Sequence, residues 1–178
     1  MLASSLLPGD ILIQYRGQPW CWLAWLTTGQ PYPHAQIVSR VDPATSTTPR
    51  VVWVIENSAD GLREKPAYQL DSFTVARPNC DQATKMRAIA WIKAHTGENY
   101  GYGHMLEIVF GYRLGRRSHP GIDDDVTQDR RDKVCSETIA MGYYRSGFDL
   151  VPHVCDRDTL PRDFLATPCM AKLGPIER

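Results

Sequence analysis

The chain reads as an α+β domain. Strand-like segments crowd its first 78 residues, a helical period sets in after residue 81, and no internal repeat or low-complexity tract intervenes. Strands first and helices second is the order of an α+β layer architecture rather than of alternating βαβ units. At 178 residues the whole chain, 1–178, is expected to be a single domain with a substantial core. Two features stand off from it: a charged insertion at about 104–132 and an irregular, proline-punctuated tail from about 152.

Pro8-Gly9-Asp10 is a turn, and Ile11-Leu12-Ile13-Gln14-Tyr15 reads as a strand closed by Arg16-Gly17. Residues 20–26 are apolar on nearly every face, and their length suits a short buried helix. The three tryptophans there (Trp20, Trp22, Trp25) fit the core, or the wall of a groove for an apolar or sugar-bearing substrate. Pro31-Tyr32-Pro33 holds the chain extended, and a strand over 34–41 follows with His34 at its first position. A Pro/Ser/Thr-rich loop then leads into 51–56, a β-branched strand ending on Glu56. Residues 61–66 are a turn or short strand, and 73–78 a strand stopped by Pro78. The period changes at 82–95, an amphipathic helix capped by Asp81 and stopped by Gly97, with Ala83, Met86, Ile89, Ala90 and Ile92 on the apolar side. A glycine-aromatic loop (97–103), a short helix (104–112) and the exposed insertion complete the run up to residue 133. From Val134 the apolar positions Val134, Thr138 and Met141, with Ala140 and Tyr144 beside them, recur at helical spacing.

Composition excludes several function classes. Lys+Arg and Asp+Glu both number 20, so the net charge is zero. No basic excess calls for nucleic acid, and the short cluster Arg113, Arg116, Arg117 reads as a solvated loop. No run of about 18 apolar residues offers a membrane span. Five cysteines at irregular spacing include no CxxC pair, and the scattered histidines form no ligand set, so neither a disulfide framework nor a metal or other cofactor is expected. Met1 to Leu7 lacks the basic start of a secretory signal, which predicts a cytoplasmic protein as synthesised, with free thiols.

Cys135 falls in the first turn of its helix, where free N–H groups and the helix dipole favour a thiolate. Taken alone it reads as one more small buried residue, the commonest fate of a free cysteine. A nucleophilic role needs a base within reach. Of the five histidines, His95 suits a helix C-terminus, His119 and His153 neighbour prolines in loops, and His104 opens a helix it could cap. His34 alone begins a strand, a rigid mount. If its strand neighbours that of Glu56, the carboxylate could orient the imidazole. From spacing alone, a solvated strand-end carboxylate is the plainer reading of Glu56.

The ordered set Leu7-Pro8-Gly9-Asp10-Ile11-Leu12, His34-Ala35-Gln36-Ile37-Val38, Val54-Ile55-Glu56-Asn57, Gly97-x-x-Tyr100-x-Tyr102-Gly103 and Val134-Cys135-Ser136-Glu137 resembles the permuted NlpC-type papain-like cysteine hydrolases. That family includes the YiiX/YaeF-like branch and is related to lecithin retinol acyltransferase. The resemblance spans roughly residues 6–150. It implies a papain-like fold in which an antiparallel, barrel-like sheet precedes the nucleophile helix. It also implies Cys135 as nucleophile, His34 as general base, Glu56 as the residue orienting it, Tyr100 beside the oxyanion site and Asp10 as a structural aspartate. The expected chemistry is acyl transfer through a thioester, with the oxyanion held at the Cys135 backbone N–H. The leading expectation is amide hydrolysis in peptidoglycan peptides or a related small peptide. A lipid-directed acyltransferase or esterase, and a silent binding module on the same fold, are the alternatives. A phage-encoded or released protein would explain how a chain without a signal meets a cell wall.

Overall fold

The computed structural model describes residues 3–15, 32–105 and 132–177. The tryptophan-rich segment 20–26, most of the expected helix 104–112 and nearly all of the charged insertion lie outside them.

Six strands form one antiparallel sheet: β1 (Ile11–Gln14), β2 (His34–Asp42), β3 (Val51–Ser58), β4 (Gly61–Pro66), β5 (Phe73–Pro78) and β8 (Met170–Pro175), in the order β4-β3-β2-β1-β5-β8. Between β5 and β8 run α1 (Gln82–Ala94), a parallel two-stranded bridge of β6 (Asn99–Tyr100) and β7 (Asp132–Lys133), then α2 (Cys135–Tyr144) and the single turn α3 (Asp163–Ala166). The architecture is mixed α+β, as expected. The sheet is open, however, with β4 and β8 at its two edges, where the sequence suggested a barrel-like closure.

Alternation along each strand divides the sheet into two faces. Ile11, Ile13, Ala35, Ile37, Ile55 and Ala76 face one side and bury against Ala88, Ile89 and Ile92 of α1 and Ile139, Ala140 and Tyr143 of α2. Leu12, Val38, Val54, Phe73 and Val75 face the other, closed by Leu6 and Ile176. Each such fully buried aliphatic side chain contributes about 1.5–3 kcal/mol of transfer free energy.

Asp10 is completely buried and takes Arg77 side-on, Nε to Oδ1 at 2.7 Å and Nη2 to Oδ2 at 2.8 Å, while Oδ2 also accepts the Leu7 N–H. It thereby pins the turn before β1 to β5. In that turn Gly9 has φ +93°, and a Cβ there would lie 2.7 Å from Lys85 Cβ, so only glycine fits.

Two sequence expectations need correction. α1 is capped by Asp81, whose Oδ1 accepts the Thr84 N–H at 2.6 Å, but its buried face is Thr84, Lys85, Ala88, Ile89 and Ile92. Met86 is 46% exposed, and Ala83 and Ala90 face water as well. The Lys85 stem packs on Gly9, so a nominally polar residue supplies apolar cover. The tail is also not merely a surface wrap. Met170–Pro175 adds an edge strand to β5, and Phe164, Met170 and Ile176 enter the two cores. Pro161, Pro168 and Pro175 bound pieces too short to show a period.

Candidate active site

Cys135, His34, Glu56 and Tyr100 stand on α2, β2, β3 and β6, and the structure gathers them at the end of the sheet where β2 begins. Cys135 is the first residue of α2, with Val134 as the extended residue before it. Valine has no side-chain acceptor to cap with, so the helix uses half of a capping box: the Glu137 carboxylate accepts the Val134 N–H at 3.1 Å. Ser136 donates its hydroxyl to the Thr159 carbonyl, fastening the same turn to the C-terminal segment. Asn57 on β3 donates to the Lys133 carbonyl at 2.6 Å and to the Thr138 hydroxyl at 3.2 Å, fixing the turn against the sheet.

His34 pairs with Gln14 at the start of β2, and its side chain keeps 16% exposure. Its Nε2 lies 3.3 Å from Glu56 Oε2. Register explains the pairing: Gln36 stands directly opposite Glu56, so residues 34, 36 and 56 share a face. The carboxylate is nearly inaccessible, and every neighbour donates to it. Oε2 also accepts from Gln36 Nε2 at 2.9 Å; Oε1 accepts from Lys65 Nζ at 2.6 Å, with Arg63 Nη2 and the Ser58 hydroxyl both at 3.4 Å. Burial opposes the charge, but the hydrogen bonds and charges of His34 and Lys65 outweigh it and hold the Glu56 carboxyl down at about 2.

The same balance acts on the other two groups. Burial disfavours an imidazolium at His34, yet the Cys135 charge and hydrogen bond, followed by those of Glu56, raise its pKa to about 9. Burial likewise disfavours a thiolate at Cys135, but the His34 charge and hydrogen bond lower its pKa, and the backbone N–H groups of Ala35 and Ser136 add to this. The two shifts have the direction that favours a proton on His34 over one on Cys135. Tyr100 is pushed well up, by burial first and then by the Cys135 charge, so it stays a phenol beside the sulfur. Its hydroxyl also reaches Met105 Sδ at 3.7 Å, and its ring meets Tyr102 edge-on with centroids 4.9 Å apart.

Several residues of this site went unassigned in the sequence reading. Gln36 and Lys65 hold Glu56, and the period of two from His34 to Gln36 was the signal for the first of them. His104 does not cap its own helix. It is buried, with Nδ1 2.9 Å from Glu137 Oε2. Of the other histidines, His95 turns back on the Trp91 carbonyl and His153 is exposed; His119 lies outside the described residues.

No family model matches the chain, and no curated protein does either. A solved structure does. The chain is similar to the crystal structure of the metalloprotein YiiX from Escherichia coli O157:H7, with a TM-score of 0.60 and 12% identity, over 94% of this chain and 96% of that one. At that identity the likeness is one of fold.

Among the described residues no group of three or more His, Cys, Asp or Glu is placed to hold a metal ion. Around Cys135 the donors do not suit one. Glu56 already accepts from Lys65 and Gln36, and the Lys65 ammonium 2.6 Å from it would oppose a second cation. No described helix is long and apolar enough to cross a membrane.

Proposed function

We propose that this protein is a cysteine hydrolase of the permuted papain-like kind, cleaving an amide bond through a thioester, with peptidoglycan peptides or related small peptides as substrate. The observation that carries the reading is the line Cys135–His34–Glu56, a thiol with lowered pKa next to an imidazole with raised pKa that is itself held by a buried carboxylate. In the resting state the thiol proton already sits on His34. The Cys135 sulfur attacks the substrate carbonyl, forming the C–S bond and an oxyanion. The free N–H groups at the α2 N-terminus and the Tyr100 hydroxyl are the donors suited to that oxyanion. Collapse breaks the C–N bond as the imidazolium delivers its proton to the leaving amine. Neutral His34 then takes a proton from water, hydroxide adds to the thioester, and the acid is released with the ion pair restored. Glu56 keeps the imidazole in one orientation and one tautomer, with Nε2 on the carboxylate and Nδ1 toward the sulfur.

Iodoacetamide labelling followed by mass spectrometry tests this. Cys135 should alkylate well below pH 8 and faster than Cys80, Cys155 and Cys169, and should lose that advantage in His34→Ala. A Cys135 as slow as its siblings would sink the hydrolase reading in favour of a binding module. Where labelling succeeds, peptidoglycan fragments and lipid esters offered side by side identify the acyl donor.

A further inference from the structure

We infer that His104 is a positioning residue for this site, cross-bracing the segment that carries Tyr100 to the helix that carries Cys135; this rests on the proposed role of Cys135. Its buried ring bridges the buried Glu137 and the half-buried Arg157. Nε2 accepts from Arg157 Nε at 3.1 Å, and Nδ1 meets Glu137 Oε2 at 2.9 Å. A guanidinium can only donate, so Nε2 presents its lone pair and Nδ1 carries the hydrogen given to Glu137. The same Glu137 oxygen accepts the Val134 N–H one residue before Cys135.

The described stretch bearing His104 is tied by its backbone at two points. Met105 N–H bonds the Gly101 carbonyl at 2.8 Å, and Gly101 N–H bonds the Lys133 carbonyl at 3.0 Å. Tyr100 therefore sits immediately before two successive ties to the start of α2. The backbone tie runs from Gly101 to Lys133, and the side-chain tie from His104 to Glu137. Met105, next to His104, also receives the Tyr100 hydroxyl. Arg157, on the turn Asp156–Asp158, extends the brace into the C-terminal segment, which Ser136 already joins through Thr159. A buried polar chain like this is often no more stabilising than apolar packing of the same volume. What it supplies is a fixed distance, here the one between the Tyr100 hydroxyl and the carbon that Cys135 would attack.

The test separates that distance from thiolate formation. Alkylation by iodoacetamide requires the thiolate but no oxyanion donor; acylation by p-nitrophenyl acetate, followed as acetyl-Cys135 by mass spectrometry, requires both. In His104→Leu the alkylation rate should stay at the wild-type value, while acylation falls on the order of 10²-fold, the cost of a misplacement of about 1 Å. Tyr100→Phe should lose acylation in the same way, and the double variant should fall no further, since both act through one hydroxyl. His104→Asn, whose amide can donate where Nδ1 does, should recover acylation, whereas His104→Gln should not.

Wild-type acylation in His104→Leu overturns the proposal, as does a parallel loss of alkylation and acylation in a folded variant. If the leucine variant does not fold, the Asn and Gln variants decide, and equal acylation rates in the two overturn it. A wild-type Cys135 that neither alkylates nor acylates faster than the other cysteines overturns the hydrolase reading itself, a result distinct from all of these.

Discussion

Glu56 decides the charge balance of the site. Its ordinary pKa is 4.5, and the fold holds it at about 2. A depressed carboxyl adds stability above its unfolded value and loses it as pH falls toward the folded one. The wild-type protein should therefore lose urea resistance below about pH 4.5 more steeply than Glu56→Gln, and equal acid slopes would refute a charged, buried Glu56. His34 has the opposite sign. Raised from 6.5 to about 9, it adds stability below 6.5 that fades as pH climbs through 9. The lowered Cys135 thiol has the opposing sign, adding stability that is lost as pH falls below its ordinary value, so the two contributions offset each other. The pair's signature is kinetic. Acyl transfer needs a protonated His34 for the leaving group, so its rate should fall near pH 9, while alkylation of Cys135, which needs only the thiolate, holds its plateau beyond it. Two pH profiles on one preparation measure this, and coincident basic limbs would contradict it. Glu56→Gln should move the basic limb of acyl transfer down, because the imidazolium loses its anion.

At the scale of elements, α1 and α2 cross in close contact at Gly142. A Cβ on Gly142 would lie 2.6 Å from Ile92 Cγ1 and 3.4 Å from the Ala88 carbonyl, and Ile92 is fully buried. Gly142→Ala should therefore destabilise by about 1–3 kcal/mol despite the better helix propensity of alanine. Adding Ile92→Val should recover part of the loss, measurable as a shift in thermal midpoint; a more stable single variant would show the crossing to be loose. This contact also marks where the sequence stopped being legible. Strands 34–41, 51–56 and 73–78 were readable to within two residues because β-branched runs end at proline, glycine or polar loops, and α1 announced its Asp81 cap. Its buried face was not readable, because Thr84 and Lys85 face inward for reasons that lie on other elements. In the site, position at an element's start singles out His34, while Cys135 and Glu56 read blandly by position and are named through the family resemblance. Lys65, His104 and Glu137 could not be named, since their roles depend on cross-strand register and on contacts more than 30 residues apart in the chain, as with His104 and Glu137.

For the molecule as a whole, the open sheet makes its two edges the question. β4 is narrowly covered on its outer side, where Leu62 N–H takes the Glu98 carbonyl and Gly97 N–H takes the Leu62 carbonyl. At the other end β5 is covered by β8, which enters after the chain has already built both helices and the Cys135 turn. β8 supplies Met170 to one core, while Ile176 just beyond it closes the other and bonds back to the Phe73 carbonyl. Deleting residues 168–178 should therefore do two separable things. Loss of two buried apolar side chains should lower stability by roughly 3–6 kcal/mol, at about 1.5–3 kcal/mol each. The bared β5 edge, with Phe73, Val75 and Ala76 along it, should promote strand-to-strand association. Light scattering during refolding reads the second effect and urea midpoint the first. Restoring Met170 and Ile176 with Val75→Lys added would distinguish them: the edge would be covered again, while the second core would carry a buried charge. A truncated chain that stays monomeric and keeps its midpoint would mean that β8 lies on the sheet without closing it. The Cys135 site is held from the same C-terminal segment through Thr159 and Arg157. Because the deletion begins beyond both, Cys135 should still alkylate in whatever fraction of the truncated protein remains folded.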